Sequence, residues 1–327
     1  MTYKNFIIVT GGTINLGYQA ALKIAKEHPD YLIVIASRSD KENSAESINK
    51  SLHQDNTIFM PLDLSDSKSV RSFAEKWIAD STKPQIKALV LNAGLQFPAG
   101  LVMTPEGLEA TFAIAHVGHA LLFFLLCPHL APDSHVIFTS SGTHDPAQKT
   151  GMPVPEYITA ENLAHPPESM IKISGRKRYT TARLCNVLFA YALSRKLDER
   201  APERDITVTA MDPGLMPGTG LAREANMFEH WLWNSVLPHL IWLLRLVAIP
   251  NTHTPAESGA ALARLATAAD VEGTTGKYFE GLNEIKSSRD SYDESNQEDL
   301  WNWTVNYLAK DEREKPRNQD SIMSCGG

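Results

Sequence analysis

The chain has 327 residues, a formal net charge of −7, 43% hydrophobic and 21% charged residues. This is the balance of an ordinary globular protein with enough apolar material for a sizeable core. The acidic sign and the lack of any Lys/Arg block exclude a nucleic-acid partner. Three cysteines, Cys127, Cys185 and Cys325, lie far apart without a CxxC pair, which predicts a reducing compartment and no zinc site. The N-terminus runs straight into Asn5-Phe6-Ile7-Ile8-Val9, without the features of a signal peptide, so a cytoplasmic setting is expected.

Strand and helix signals then alternate. Phe6–Thr10 is a short β-branched run broken by Gly11-Gly12, and Leu16, Ala20 and Ile24 follow at helical spacing through Glu27. Tyr31–Ala36 is continuously apolar, the signature of a strand buried on both faces of a parallel sheet. Thr57–Met60 reads as the third strand, with a helix from Ser65-Asp66 to about Asp80, and Ile86–Leu91 as the fourth. A long helix is expected from about Thr104 to Pro128, then a strand at His135–Thr139, a helix at Lys177–Arg200 and a strand at Ile206–Met211. A last strand near Lys277–Phe279 and a helix around Gln297–Leu308 complete the reading. This rhythm predicts an α/β, Rossmann-type doubly wound parallel sheet with helices on both faces. One domain is expected over residues 1–286, with insertions at 142–176 and 215–253. A polar extension follows over 287–327, its last residues expected to be disordered.

The apolar segment from Trp231 to Ile249 is interrupted by Pro238, His239 and Arg245 and is short for a spanning helix. It reads as a lid over an apolar substrate pocket or as a surface for peripheral membrane contact.

Thr10-Gly11-Gly12-Thr13-Ile14-Asn15-Leu16-Gly17 lies where the first strand hands over to the first helix. Such a turn offers free backbone N–H groups and the positive end of a helix dipole to a pyrophosphate. The segment resembles the TGxxxGxG motif of the short-chain dehydrogenase/reductase family, with Gly11 and Gly17 in place and Asn15 at the middle glycine. Asparagine tolerates left-handed backbone angles better than most residues. The resemblance extends to Asp63-Leu64 after the third strand (adenine contact), Asn92-Ala93-Gly94 after the fourth (nicotinamide side) and Pro213-Gly214 after the sixth. It implies a cofactor site of Gly11, Thr13, Asn15, Leu16, Gly17, Arg38, Asp63, Leu64, Asn92, Ala93, Gly94, Tyr179, Arg183, Pro213 and Gly214. Arg38, at the end of the second strand, stands where an acidic residue would hold a ribose 2′-hydroxyl and an arginine suits a 2′-phosphate. NADP(H) is therefore the expected cofactor.

The family supplies a proton from a tyrosine, aided by a lysine one helical turn later. A serine polarises the carbonyl, and an asparagine anchors a relay water. Here Tyr179 matches the tyrosine, and Arg183 stands at the lysine position on the same helix face. Arginine keeps the charge but cannot release a proton at useful pH. Ser141 is the better match for the serine and Ser140 the second, while Ala115 replaces the asparagine. His116 and His119 are explained by the family pattern as packing residues, so no metal is expected. His144-Asp145 reads as a local acid/base pair or a solvated loop.

Arg183-Leu184-Cys185-Asn186-Val187-Leu188-Phe189 and Ser140-Ser141-Gly142-Thr143-His144-Asp145 resemble the protochlorophyllide-reductase and retinol-dehydrogenase-like branch. That branch implies an NADP(H)-dependent oxidoreductase working on the carbonyl or alcohol of a hydrophobic small molecule, in a setting such as secondary metabolism. Two alternatives stay open: a non-redox enzyme (dehydratase, isomerase or cyclase) on the same fold, and a catalytically weak NADP(H)-binding protein. By resemblance, a homo-oligomer would pair through the helices carrying 104–128 and 177–200.

Overall fold

In the computed structural model, residues 3–80, 84–219, 231–247 and 249–309 are described. The expected disorder of the last residues, and the part of the 215–253 insertion at 220–230, lie outside them.

One eight-stranded sheet organises the chain, and its first strands carry the apolar runs of the sequence. β1 (Asn5–Thr10), β2 (Tyr31–Ser37), β3 (Thr57–Pro61), β4 (Ile86–Leu91), β5 (Leu130–Thr139), β6 (Thr207–Asp212), β7 (Lys277–Glu280) and β8 (Asn283–Ile285) lie in the order β3-β2-β1-β4-β5-β6-β7-β8. All neighbours pair in parallel except β7 and β8, which pair antiparallel. The order reverses between β1 and β4, so the carboxyl ends of those strands flank a crevice, the usual place for a ligand in such sheets.

Helices cover both faces. α1 (Asn15–Glu27) packs with a later helix, α8 (Pro255–Thr267), over one face, where Ile7, Val9, Ile33 and Val90 meet Ala20, Ile24, Leu262 and Leu265. α2 (Ser44–Leu52) lies beside β3. On the other face lie α3 (Ser67–Ile78), α4 (residues 110–126), α6 (Gly175–Arg200) and α9 (Glu294–Leu308). Two short helices, α5 (Ala160–Ala164) and α7 (Ile241–Val247), belong to the two insertions.

Several expectations need correction. The long helix begins at Ala110 instead of about Thr104. Thr104 to Leu108 fold into a turn with Gly107 at φ 81°, and the Glu109 carboxylate caps the helix by accepting from the N–H groups of Thr111 and Phe112. The helix also widens into a π-turn over Ala113–Val117. α2 and α8 were not among the expected elements; α8 is fixed by a capping box in which Thr254 and Glu257 exchange hydrogen bonds. α9 starts earlier than expected, at Glu294, where Asp293 accepts from the N–H groups of Ser295 and Asn296.

α9 also bears on the expected mode of pairing. Trp301 stacks on Phe189 of α6 at 5.4 Å and packs edge-on to Phe124 of α4. Thr304 Oγ1 lies 2.7 Å from His116 Nε2, and Arg195 of α6 bonds Gln297 and Glu298. The two helices named for pairing thus carry α9 across them.

Candidate active site

The phosphate turn follows from β1 ending in Thr10. The Thr10 hydroxyl accepts from the N–H groups of Asn92 (2.8 Å) and Ala93 (3.0 Å), and Asn92 Nδ2 donates to the Thr10 carbonyl. This lashes the turn after β1 to the turn after β4. Gly11 sits at φ 65°, and a Cβ on Gly17 would overlap the Gly11 carbonyl oxygen, so both positions demand glycine. Asn15 opens α1 at φ 49°, in the left-handed region that asparagine accepts more readily than most residues.

A cleft of ≈ 1530 Å³ runs from this turn across the carboxyl end of the sheet. Every expected cofactor residue, Gly11, Thr13, Asn15, Leu16, Gly17, Arg38, Asp63, Leu64, Asn92, Ala93, Gly94, Tyr179, Arg183, Pro213 and Gly214, lines it, as do Ser140 and Ser141. Arg38 is exposed at one end, beside Ser37, Ser39 and Lys41.

At the other end, α6 presents Tyr179 and Arg183 on one face. Tyr179 is nearly buried, and no hydrogen bond to its hydroxyl is found among the described residues. The Arg183 guanidinium lies 4.8 Å from the Tyr179 ring centroid. Its Nη1 donates to the Thr139 carbonyl at 2.9 Å, while its Nε, buried, has no partner. Nη2 presses on Gly94, where a Cβ would collide with it. The small residue of the Asn92-Ala93-Gly94 turn therefore makes room for the guanidinium.

The two serines differ. Ser140 is buried and its hydroxyl donates to the Arg183 carbonyl at 2.8 Å. Ser141 is half-buried, and its Oγ accepts the Thr143 N–H at 3.3 Å, leaving its own proton free to point into the cleft. Ala115 is buried in the π-turn, and its carbonyl accepts from His119 Nδ1 at 3.1 Å. Because that carbonyl can only accept, Nδ1 carries the proton, and Nε2 receives the Thr10 hydroxyl at 2.9 Å.

Burial pushes the His119 pKa down to about 4 and that of His116 down to about 3. Both are neutral core residues, and no cluster of metal-ligating side chains occurs among the described residues. His144 corrects both readings of its segment. It is 1% exposed and fully hydrogen-bonded through its ring, so it is neither a solvated loop residue nor a free acid/base.

The residues that sequence reasoning missed lie at the ends of β6 and β7. Asp212 and Glu280 are paired in register and both line the cleft. Asp212 is buried, accepts from Gly214 N–H and Asn251 Nδ2, and lies against Gly142. Burial, with Asp212 beside it, raises the Glu280 pKa. The only sequence signal was the place of Asp212 immediately before Pro213-Gly214.

The apolar segment after β6 contributes Leu232, Trp233, Leu237 and Ile249 to the wall of the cleft. Its other side leaves Trp242 66%, Leu246 77% and Val247 72% exposed. Among the described residues, one helix, Ala110–His129, is long and apolar enough to cross a membrane, but 94% of its most apolar stretch is buried inside the protein, as expected of a core helix.

Comparison with known proteins agrees with this geometry. Residues 5–153 match the family model for short chain dehydrogenase. A WW domain-containing oxidoreductase of Drosophila melanogaster is 30% identical over 93% of this chain and 68% of its own. Retinol dehydrogenase 13 of Mus musculus is 30% identical over 90% of this chain and 81% of its own. The chain belongs to the short-chain dehydrogenase family. Short-chain dehydrogenase TIC 32 A, chloroplastic, of Brassica napus is also 30% identical, over 91% and 87%. Among solved structures, the Pseudomonas aeruginosa RhlG/NADP active-site complex superposes with a TM-score of 0.59 at 20% identity, covering 86% of this chain and 96% of that one. A blue fluorescent protein from a metagenomic library, in complex with NADPH, gives 0.60 at 18%, covering 86% and 98%. These two likenesses bear on the fold alone.

The family's nicotinamide dinucleotide fits the residues present. The glycine turn lines the cleft at the N-terminus of α1, where no side chain can fill the Gly11 and Gly17 positions, and the orphaned Arg183 Nε is a buried donor on the same cleft.

Proposed function

We propose that the chain is an NADP(H)-dependent oxidoreductase acting on a carbonyl or alcohol of an apolar small molecule. The observation that carries this reading is the convergence of Tyr179, Ser141, Arg183 and the phosphate turn on one cleft. The Gly11–Gly17 turn and the N-terminus of α1 would hold the pyrophosphate, and Asp63 and Leu64 would flank the adenine. Arg38, exposed and without an ion pair among the described residues, would take the 2′-phosphate. When bound, the nicotinamide supplies or accepts the hydride. In the reducing direction, Ser141 Oγ–H donates to the carbonyl oxygen and polarises it. Tyr179 Oη then gives its proton to the forming alkoxide, and the Arg183 charge stabilises the tyrosinate that remains. The apolar wall of Leu232, Trp233 and Leu237 would bury the rest of the substrate.

Titration calorimetry with NADPH and NADH tests the reading. NADPH is expected to bind more tightly, and Arg38→Ser to weaken it by about 1.5–3 kcal/mol, one charge-assisted hydrogen bond, while leaving NADH unchanged. Failure of both nucleotides to bind would sink the redox reading. The competing non-redox reading is favoured by one observation, the Arg183 guanidinium seated on Gly94 and the Thr139 carbonyl. Substrate conversion without any change in nicotinamide absorbance would establish it instead.

A further inference from the structure

Ser141 owes its presentation to a histidine three residues on. The Ser141 carbonyl accepts twice from His144, from its N–H at 3.0 Å and from Nδ1 at 2.7 Å. On the far side of the ring, Nε2 lies 3.1 Å from the Ser288 nitrogen. A carbonyl only accepts and a backbone N–H only donates, so the partners fix a single tautomer, Nδ1–H with a bare Nε2. The ring packs on Tyr278 of β7 at 4.9 Å.

Ser288 is itself anchored. Its carbonyl accepts from Ser291 Oγ, whose own carbonyl accepts from Gln297 of α9. Ser291 Oγ also meets Ser287 Oγ, which is bonded to the Tyr191 hydroxyl of α6.

We propose that His144 is a positioning residue that fixes the backbone of Ser141, and that it takes its own position from Ser288. The segment after β8 thereby sets how the Ser141 hydroxyl faces the cleft. The consequence for turnover rests on the role of Ser141 proposed above. A histidine serving only to fill the core would need neither bond, and phenylalanine would replace it.

Three variants separate these cases. Ser288→Pro removes the donating N–H at a residue whose φ of −58° already suits proline. His144→Asn keeps a donor in place of Nδ1–H, and His144→Phe keeps neither bond. The first readout is hydrogen exchange of peptides spanning residues 140–148. His144→Phe is expected to speed exchange there about tenfold, the equivalent of one hydrogen bond, while Ser288→Pro and His144→Asn, each keeping the donor to Ser141 and losing the bond to Ser288, fall between it and the parent. The second is reduction of 9,10-phenanthrenequinone with NADPH, where kcat is expected to fall about tenfold with KM little changed for His144→Phe, and by less for Ser288→Pro and His144→Asn.

Unchanged exchange in Ser288→Pro, or equal behaviour of His144→Asn and His144→Phe, overturns the proposal. If Ser288→Pro does not fold, the contrast between the two His144 variants decides. If exchange responds but Ser141→Ala keeps full quinone turnover, the positioning stands and the assigned role of Ser141 is what fails. If Ser141→Ala abolishes turnover while Ser288→Pro and His144→Phe leave kcat intact, the proposal fails instead. Should the parent not reduce the quinone, exchange alone decides.

Discussion

In the proposed reaction, Arg183 and Ala115 are the two residues that bear on how the proton is handled. The guanidinium can stabilise a tyrosinate, but it cannot hand on a proton, and Ala115 has no side chain to hold a relay water. In the proposed reaction, Tyr179 would therefore be reprotonated directly from solvent in the cleft. Arg183→Lys combined with Ala115→Asn is expected to raise kcat on the order of 10²-fold, the scale of general acid–base assistance. Steady-state rates of the double variant and both single ones check this, and no gain in any of them would mean the native residues serve other chemistry. The flanking motifs place both residues in the sequence, which is why the expectation could be framed there. The seat of the guanidinium on Gly94 was not legible, since it depends on two turns brought together by Thr10 and Asn92. Asp212 and Glu280 were hidden for the same reason: strand register makes them neighbours, and residues 213–279 separate them in the chain.

At the level of elements, α9 is the least expected contributor. Its polar composition suggested an appendage, yet Leu300, Trp301, Val305 and Leu308 are buried against α4 and α6. Trp301→Ala is expected to destabilise the protein by about 3–5 kcal/mol, the usual cost of truncating a buried large aromatic, as measured by denaturant unfolding. A loss below about 1 kcal/mol would show that α9 only rests on the core. β1 to β4, β6 and β7 match the expected strands to within about one residue at each end, because apolar runs buried in a parallel sheet leave little ambiguity. β5 instead begins at Leu130, ahead of the expected His135, and β8 was not expected at all. Helix boundaries were read less well. The start of α4 is set by the Glu109 cap and the turn at Gly107, and α8 by its capping box, both decided by a few side-chain hydrogen bonds.

Across the whole molecule, acid stability follows from its buried histidines. Burial lowers His116 to about 3, and His119 and His135 to about 4, all below the value near 6.5 that each regains on unfolding. The unfolded chain therefore binds more protons between pH 4 and 6.5. The contribution of these residues is complete above pH 6.5 and is lost as pH falls through that window, each by up to about 1.4 kcal/mol per unit. Thermal melts are expected to show a clear drop in Tm from pH 7.5 to pH 5.0. A flat profile would mean that these side chains are protonated or exposed in the native protein.

The late place of α9 in the chain also matters while the protein is being made. Phe124 and Phe189, with which Trp301 packs, leave the ribosome long before residues 294–308 exist. Until those last turns are synthesised, a finished sheet carries a bare aromatic face, the kind of surface that chaperones hold and that aggregates when they do not. A ribosome stalled between β8 and α9 would therefore release a chaperone client in place of a slow enzyme.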